Sequence, residues 1–161
     1  MNGVASVLSM GVTGGLIALA AALLVATVLG VAMRRRAGQF RPASPATRAK
    51  TAGALTEADL GAGLGQQATL VQFSTAFCAP CRPTRQILAQ VADMVDGVTH
   101  VEIDAAARMD LVQRLRINST PTVLVLDHDG AIVNRATGLP RKADVIAALG
   151  PVVRAEDRSR K

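Results

Sequence analysis

The chain has two cysteines, Cys78 and Cys81, separated only by Ala79 and Pro80. A spacing of two residues brings both sulfurs within disulfide reach across one helical turn. Thr69 to Ser74 reads as a short, mostly apolar strand. Ala79 to Val95 reads as a helix, with Ile87, Leu88, Val91 and Val95 recurring at three and four. The dithiol therefore follows a strand and opens a helix. The unpaired N–H groups and partial positive charge of a helix N-terminus stabilise a thiolate, which is the attacking species in thiol–disulfide exchange. Cys78 is expected to be exposed and nucleophilic. Cys81, one turn into the helix, is expected to be more buried and to resolve a mixed disulfide. Pro80 suits a first turn, where its missing N–H is not needed.

Two other readings of the pair fit less well. A structural zinc site needs four ligands, and the chain offers only Cys78, Cys81, His100 and His128, with the histidines spread over a strand and a turn. Two inert buried thiols fit poorly with a proline between them at a strand–helix junction. No metal is expected, and no cofactor beyond the redox-active Cys78–Cys81 pair.

The 161 residues allow one ordinary domain with something added. Phe40, Phe73 and Phe77 are the only aromatics, so a core must be built from Val, Leu, Ile and Ala. The net charge of +6 is unevenly placed. No charged side chain precedes Arg34. Arg34, Arg35, Arg36, Arg41, Arg48 and Lys50 are unopposed by any acid, and the remainder carries twelve basic and twelve acidic residues. A short basic segment beside an apolar run favours a membrane surface over nucleic acid.

Val12 to Met33 is 22 uncharged residues, and about 20 apolar residues span a bilayer as a helix. No basic side chain precedes the run, which argues against a cleaved signal peptide. The expectation is one N-terminal transmembrane helix, with the arginines after it holding the rest of the chain on the cytoplasmic side. Membrane lipid is then a partner. Gly14, Ala18, Ala22, Ala26 and Gly30 stand four apart and would suit a transmembrane-helix dimer. The expected organisation is residues 1–33 as the N-terminal segment and span, 34–54 as a basic linker, 55–153 as the redox domain and 154–161 as a charged tail.

Within that domain Thr56 caps a short helix. Val98 to Ile103, Thr122 to Leu126 and Ala131 to Ala136 read as strands, with a turn at Asp127-His128-Asp129-Gly130. Arg108 to Leu115 reads as a helix. Lys142 to Leu149 reads as a closing helix stopped by Gly150-Pro151. This alternation describes an α/β fold with a central mixed sheet flanked by helices.

The stretch Val71-Gln72-Phe73-Ser74-Thr75-Ala76-Phe77-Cys78-Ala79-Pro80-Cys81-Arg82 resembles the active-site strand and motif of the thioredoxin family. Thr120-Pro121-Thr122 resembles the family's cis-proline motif, and Val98 to Asp104 resembles the strand between them. Asp129-Gly130 and Gly138 fall where the family has a hairpin turn and a later glycine. The resemblance covers roughly Thr56 to Val152. It implies a cis bond before Pro121, a loop that presents backbone groups to a substrate chain, and Thr120 nearest the sulfurs. It also makes Phe77 and Pro80 part of the substrate rim.

Three departures stand out. Gln72 occupies the place of a buried Asp that moves a proton at the second cysteine, and His100 that of its Lys partner. Phe77 replaces a Trp. Gln72 cannot titrate, so proton exchange at Cys81 would use water or His100.

The activity implied is a membrane-tethered thiol–disulfide oxidoreductase that reduces protein disulfides and is restored by an external thiol reductant. The alternatives are an extracytoplasmic relative acting in cytochrome maturation or disulfide supply, and a non-enzymatic partner-binding module. No nucleic acid is expected as a partner.

Overall fold

The computed structural model describes residues 3–36, 38–42 and 54–159. They divide into two compact units, Met1–Arg36 and Ala37–Lys161.

The first unit is a single helix, α1 (Gly3–Arg36). Its side chains are described from 17 to 33, all exposed. Thr27 is accommodated within the helix, its hydroxyl donating to the Leu23 carbonyl at 2.7 Å. The expected transmembrane helix, and the single-pass membrane location built on it, must be corrected. Among the described residues no helix is long and apolar enough to cross a membrane. Membrane lipid as a partner loses its support with the span.

The second unit contains β1 (Arg41–Pro42), α2 (Glu57–Leu60), β2 (Ala68–Ser74), α3 (Cys81–Met94), β3 (Val98–Asp104), α4 (Met109–Arg114), β4 (Thr122–Asp127), β5 (Ile132–Thr137) and α5 (Lys142–Ser159). The strands form one sheet in the order β1-β5-β4-β2-β3. β2 runs parallel to β3 and antiparallel to β4, while β5 is antiparallel to both β4 and β1. This is the expected mixed sheet.

Period-two alternation sorts the core into two faces. Val71 and Phe73 of β2 join Val101, Ile103, Leu124 and Leu126 beneath Leu60, Leu111 and Leu115. Ala68 and Leu70 join Val98, Val123 and Val125 beneath Leu88 and Val91 of α3 and Val145, Leu149 and Val152 of α5. Every residue of β2 is buried, as a strand covered on both faces requires. The turn before β5 forms as expected. The Asp127 carboxylate accepts from the N–H groups of Asp129 and Ala131. Gly130 lies at φ +78°, and a Cβ there would meet the Leu55 carbonyl oxygen at 2.2 Å.

The termini of the unit differ from the sequence-based expectation. β1 lies inside the expected linker, pairing Arg41 with Arg135 and Pro42 with Asn134. α5 does not stop at Gly150-Pro151 but continues to Ser159. A proline inside a helix costs about 3 kcal/mol. Burying a valine side chain returns about 1.5–3 kcal/mol, and Val152 is buried against Leu149 on the sheet. The Asn134 amide also donates to the Ala148 carbonyl at 3.1 Å. Packing therefore outweighs the local stop signal.

Because the helix runs through Pro151, Pro151→Ala should stabilise the chain. The gain is about 2 kcal/mol, the helix-propensity difference less the entropy proline removes from the unfolded state. A raised urea midpoint is the expected result, and a lowered one would mean the helix ends at Gly150.

Candidate functional site

β2 ends at Ser74 and α3 begins at Cys81, so the dithiol lies in the connection between the central strand and its helix. Two backbone hydrogen bonds shape this connection: Cys78 N–H to the Thr75 carbonyl at 3.2 Å, and Cys81 N–H to the Cys78 carbonyl at 3.1 Å. Cys78 and Cys81 are joined as a disulfide, with Cα atoms 5.3 Å apart. Cys78 is half-buried, whereas Cys81 is only 3% exposed. The two cysteines thus differ in their access to solvent.

The helix start tolerates two prolines. Pro80 is the cap residue, and its carbonyl accepts from the Thr84 hydroxyl at 2.8 Å. Pro83 is the third helical residue, where an N–H would have no intrahelical partner. Phe77 is fully exposed beside Cys78, and Pro80 is exposed as well.

The second loop comes from far along the chain. The Thr120–Pro121 bond is cis, and Pro121 is buried. The Thr122 hydroxyl donates back to the Ser119 carbonyl at 2.7 Å, and the Gly138 N–H donates to the Pro121 carbonyl at 2.8 Å. The Thr120 and Thr75 hydroxyls are 3.1 Å apart. Thr75 also holds the Cys78 amide, so it joins the cis-proline loop to the dithiol turn. The sequence reading did not assign Thr75 a role. Its position three residues before Cys78, where a turn carbonyl is needed, was the available signal.

Gln72 is fully buried, and its side-chain N–H donates to the Cys81 carbonyl at 3.0 Å. His100 stands elsewhere. Gln72 is in register with Glu102, and His100 with Leu70, two residues further from the dithiol end of β2. Around it lies a polar cluster that the sequence reading missed. Arg85 of α3 pairs with Glu102, which also accepts from the Ser74 hydroxyl at 2.7 Å. Burial pulls the Glu102 carboxyl upward, but hydrogen bonds from Arg85 and Ser74, with the Arg85 charge, outweigh it and leave the carboxyl below its ordinary range. Burial pushes the His100 imidazole down. The Glu102 charge opposes that shift and the Arg85 charge adds to it. Among the described residues no cluster of three or more His, Cys, Asp or Glu side chains could hold a metal ion.

A family model described as Thioredoxin matches residues 53–150. The thioredoxin of Chlamydia muridarum is 31% identical over 80 residues, covering 50% of this chain and 78% of that protein. The thioredoxin of Mycoplasma genitalium is 29% identical over 77 residues, covering 48% and 74%. Among solved structures, a mutant thioredoxin from Halobacterium salinarum superposes with a TM-score of 0.50 at 19% identity, over 55% of this chain and 76% of that one.

The lowered His100 has a definite pH signature. Its folded-state pKa lies below its unfolded value of about 6.5, so the unfolded chain binds the extra proton. The stability held by neutral His100 is complete above that value and is lost as pH falls below it. Glu102 acts lower, losing its contribution as pH falls below about 4.3. Urea midpoints should therefore drop between pH 7.5 and 5.5 in the unaltered chain and drop less in His100→Gln. Equal drops would show that His100 does not carry the effect.

Proposed function

The chain belongs to the thioredoxin family and is a thiol–disulfide oxidoreductase, and on that premise we propose that it reduces protein disulfides through a mixed-disulfide intermediate. The observation that carries this reading is the Cys78–Cys81 disulfide itself, with one sulfur partly exposed and the other buried at the start of a helix. In the reduced protein the Cys78 thiolate attacks one sulfur of the substrate disulfide. The substrate S–S bond breaks, and the other sulfur leaves as a thiolate that takes up a proton. Cys81 loses its proton and attacks the Cys78 sulfur. The mixed disulfide breaks, the second substrate thiol departs, and Cys78–Cys81 is left oxidised. An external thiol reductant returns two electrons and two protons.

Substrate recognition is assigned to the surface around Cys78. Phe77 offers an exposed apolar ring, Pro80 an exposed rigid edge, and the Thr120–Pro121 loop a backbone held by Gly138. An extended substrate segment laid along that loop would bring its disulfide to Cys78. Thr120 keeps Thr75 in place, and so helps to set the geometry of the dithiol turn.

Two variants test this reading. Cys81→Ser should accumulate mixed disulfides with substrate proteins, because nothing remains to resolve them. Cys78→Ser should form none and should lose insulin reduction. If Cys81→Ser traps nothing and the unaltered chain leaves insulin intact, the reading is wrong. Phe77→Ala should raise KM for a protein substrate several-fold while leaving reduction by a small thiol nearly unchanged.

A further inference from the structure

The side-chain oxygen of Gln72 is buried and has no hydrogen-bond partner among the described residues. The amide cannot be turned to relieve it. The Cys81 carbonyl accepts the hydrogen bond at 3.0 Å, so the group facing it must be the NH₂, and Oε1 is thereby fixed as the free acceptor. An unmet buried acceptor is unfavourable, and native interiors rarely keep one without a reason. Here it stands beside a residue whose donor capacity changes during the reaction.

In the oxidised protein the Cys81 sulfur is bonded to Cys78 and carries no hydrogen. It cannot donate. When a thiol reductant breaks the Cys78–Cys81 bond, it supplies two electrons and two protons, and one proton ends on Cys81. That sulfur then becomes an S–H donor. The same Gln72 amide is already seated against Cys81, 3.0 Å from its backbone carbonyl, and both residues are buried. We infer that Gln72 is a positioning residue that favours the dithiol: its free oxygen is left unmet in the disulfide form and is satisfied by the Cys81 thiol in the reduced form.

This deepens the oxidoreductase reading and rests on it. Two consequences follow. The disulfide is easier to reduce than it would be above an apolar residue, so the couple is shifted toward higher potential. The proton on Cys81 is retained by a neutral acceptor that cannot take it up, so the buried site contributes no titrating carboxyl of its own.

The test is the equilibrium of the full chain with mixtures of reduced and oxidised glutathione, read by the fraction of alkylated thiols. Gln72→Met keeps the bulk and removes the acceptor. Its equilibrium constant for reduction should fall about tenfold, which for a two-electron couple is about 30 mV toward lower potential. Gln72→Glu is the conservative variant. Burial raises a carboxyl pKa, so at pH 6 the neutral acid keeps an acceptor oxygen and the constant should return to within about threefold of the unaltered chain. No shift in Gln72→Met, or an equal shift in both variants at pH 6, would overturn the inference. Insulin reduction is measured on the same samples. Its absence in the unaltered chain would count against the oxidoreductase reading instead, whatever the variants show.

Discussion

The structure depends on the burial of β2. All seven of its residues lie inside, with β3 on one side, β4 on the other and helices over both faces. A strand so placed cannot shift by one residue without turning Val71 and Phe73 out of one core and Ala68 and Leu70 out of the other. Its end is therefore a fixed point. The connection from Ser74 to Cys81 starts from that point and returns to a helix anchored by Leu88 and Val91. The dithiol is exposed enough to react because it sits just past the edge of the buried strand. It is held firmly because both of its flanks are core elements.

The same burial draws several polar side chains near the site into hydrogen bonds. Gln72, Ser74 and Thr84 are polar residues in positions that the fold has closed to water. Ser74 finds Glu102, Thr84 finds the Pro80 carbonyl, and Gln72 finds the Cys81 carbonyl. The first joins β2 to β3, and the other two tie α3 and β2 to the residues at the start of the helix. Arg85 and Ser74 hold the Glu102 carboxyl below its ordinary range, and burial pushes the half-buried His100 imidazole below its own. The departures Gln72 and His100 thus stand on adjacent strands, His100 two residues from the partner of Gln72. Gln72 belongs to the dithiol, while His100 belongs to the cluster on the outer part of the sheet.

Much of this was legible from the order of residues. The strand before Cys78 and the helix after it follow from periodicity and from the two prolines. The turn at Asp127–Gly130 follows from its Asp and Gly, and the capping of α2 by Thr56 and Asp59 from the residue types. Local signals were weaker where distant packing competed with them. Gly150-Pro151 reads as a stop, yet Val152 buries itself on the sheet and carries α5 onward. Arg41-Pro42 reads as linker, yet it finds the open edge of β5. The apolar N-terminal run was legible as a helix. Reading it as a membrane span was a further step, which the described residues of α1 do not support.

The amino-acid sequence by itself determined the chemistry of this protein: two thiols at the spacing and setting of a reversible disulfide, and a succession of elements able to frame them. Those properties are local, set by residues within one strand or one helical turn of each other. The tertiary structure decided which groups surround the sulfurs. Thr75 meets Thr120 across 45 residues, and Gln72 meets Cys81 by lying under it in the sheet. Neither contact has a signature in the spacing, because each exists only once the two faces of the sheet are packed and the chain has no other way to bury them.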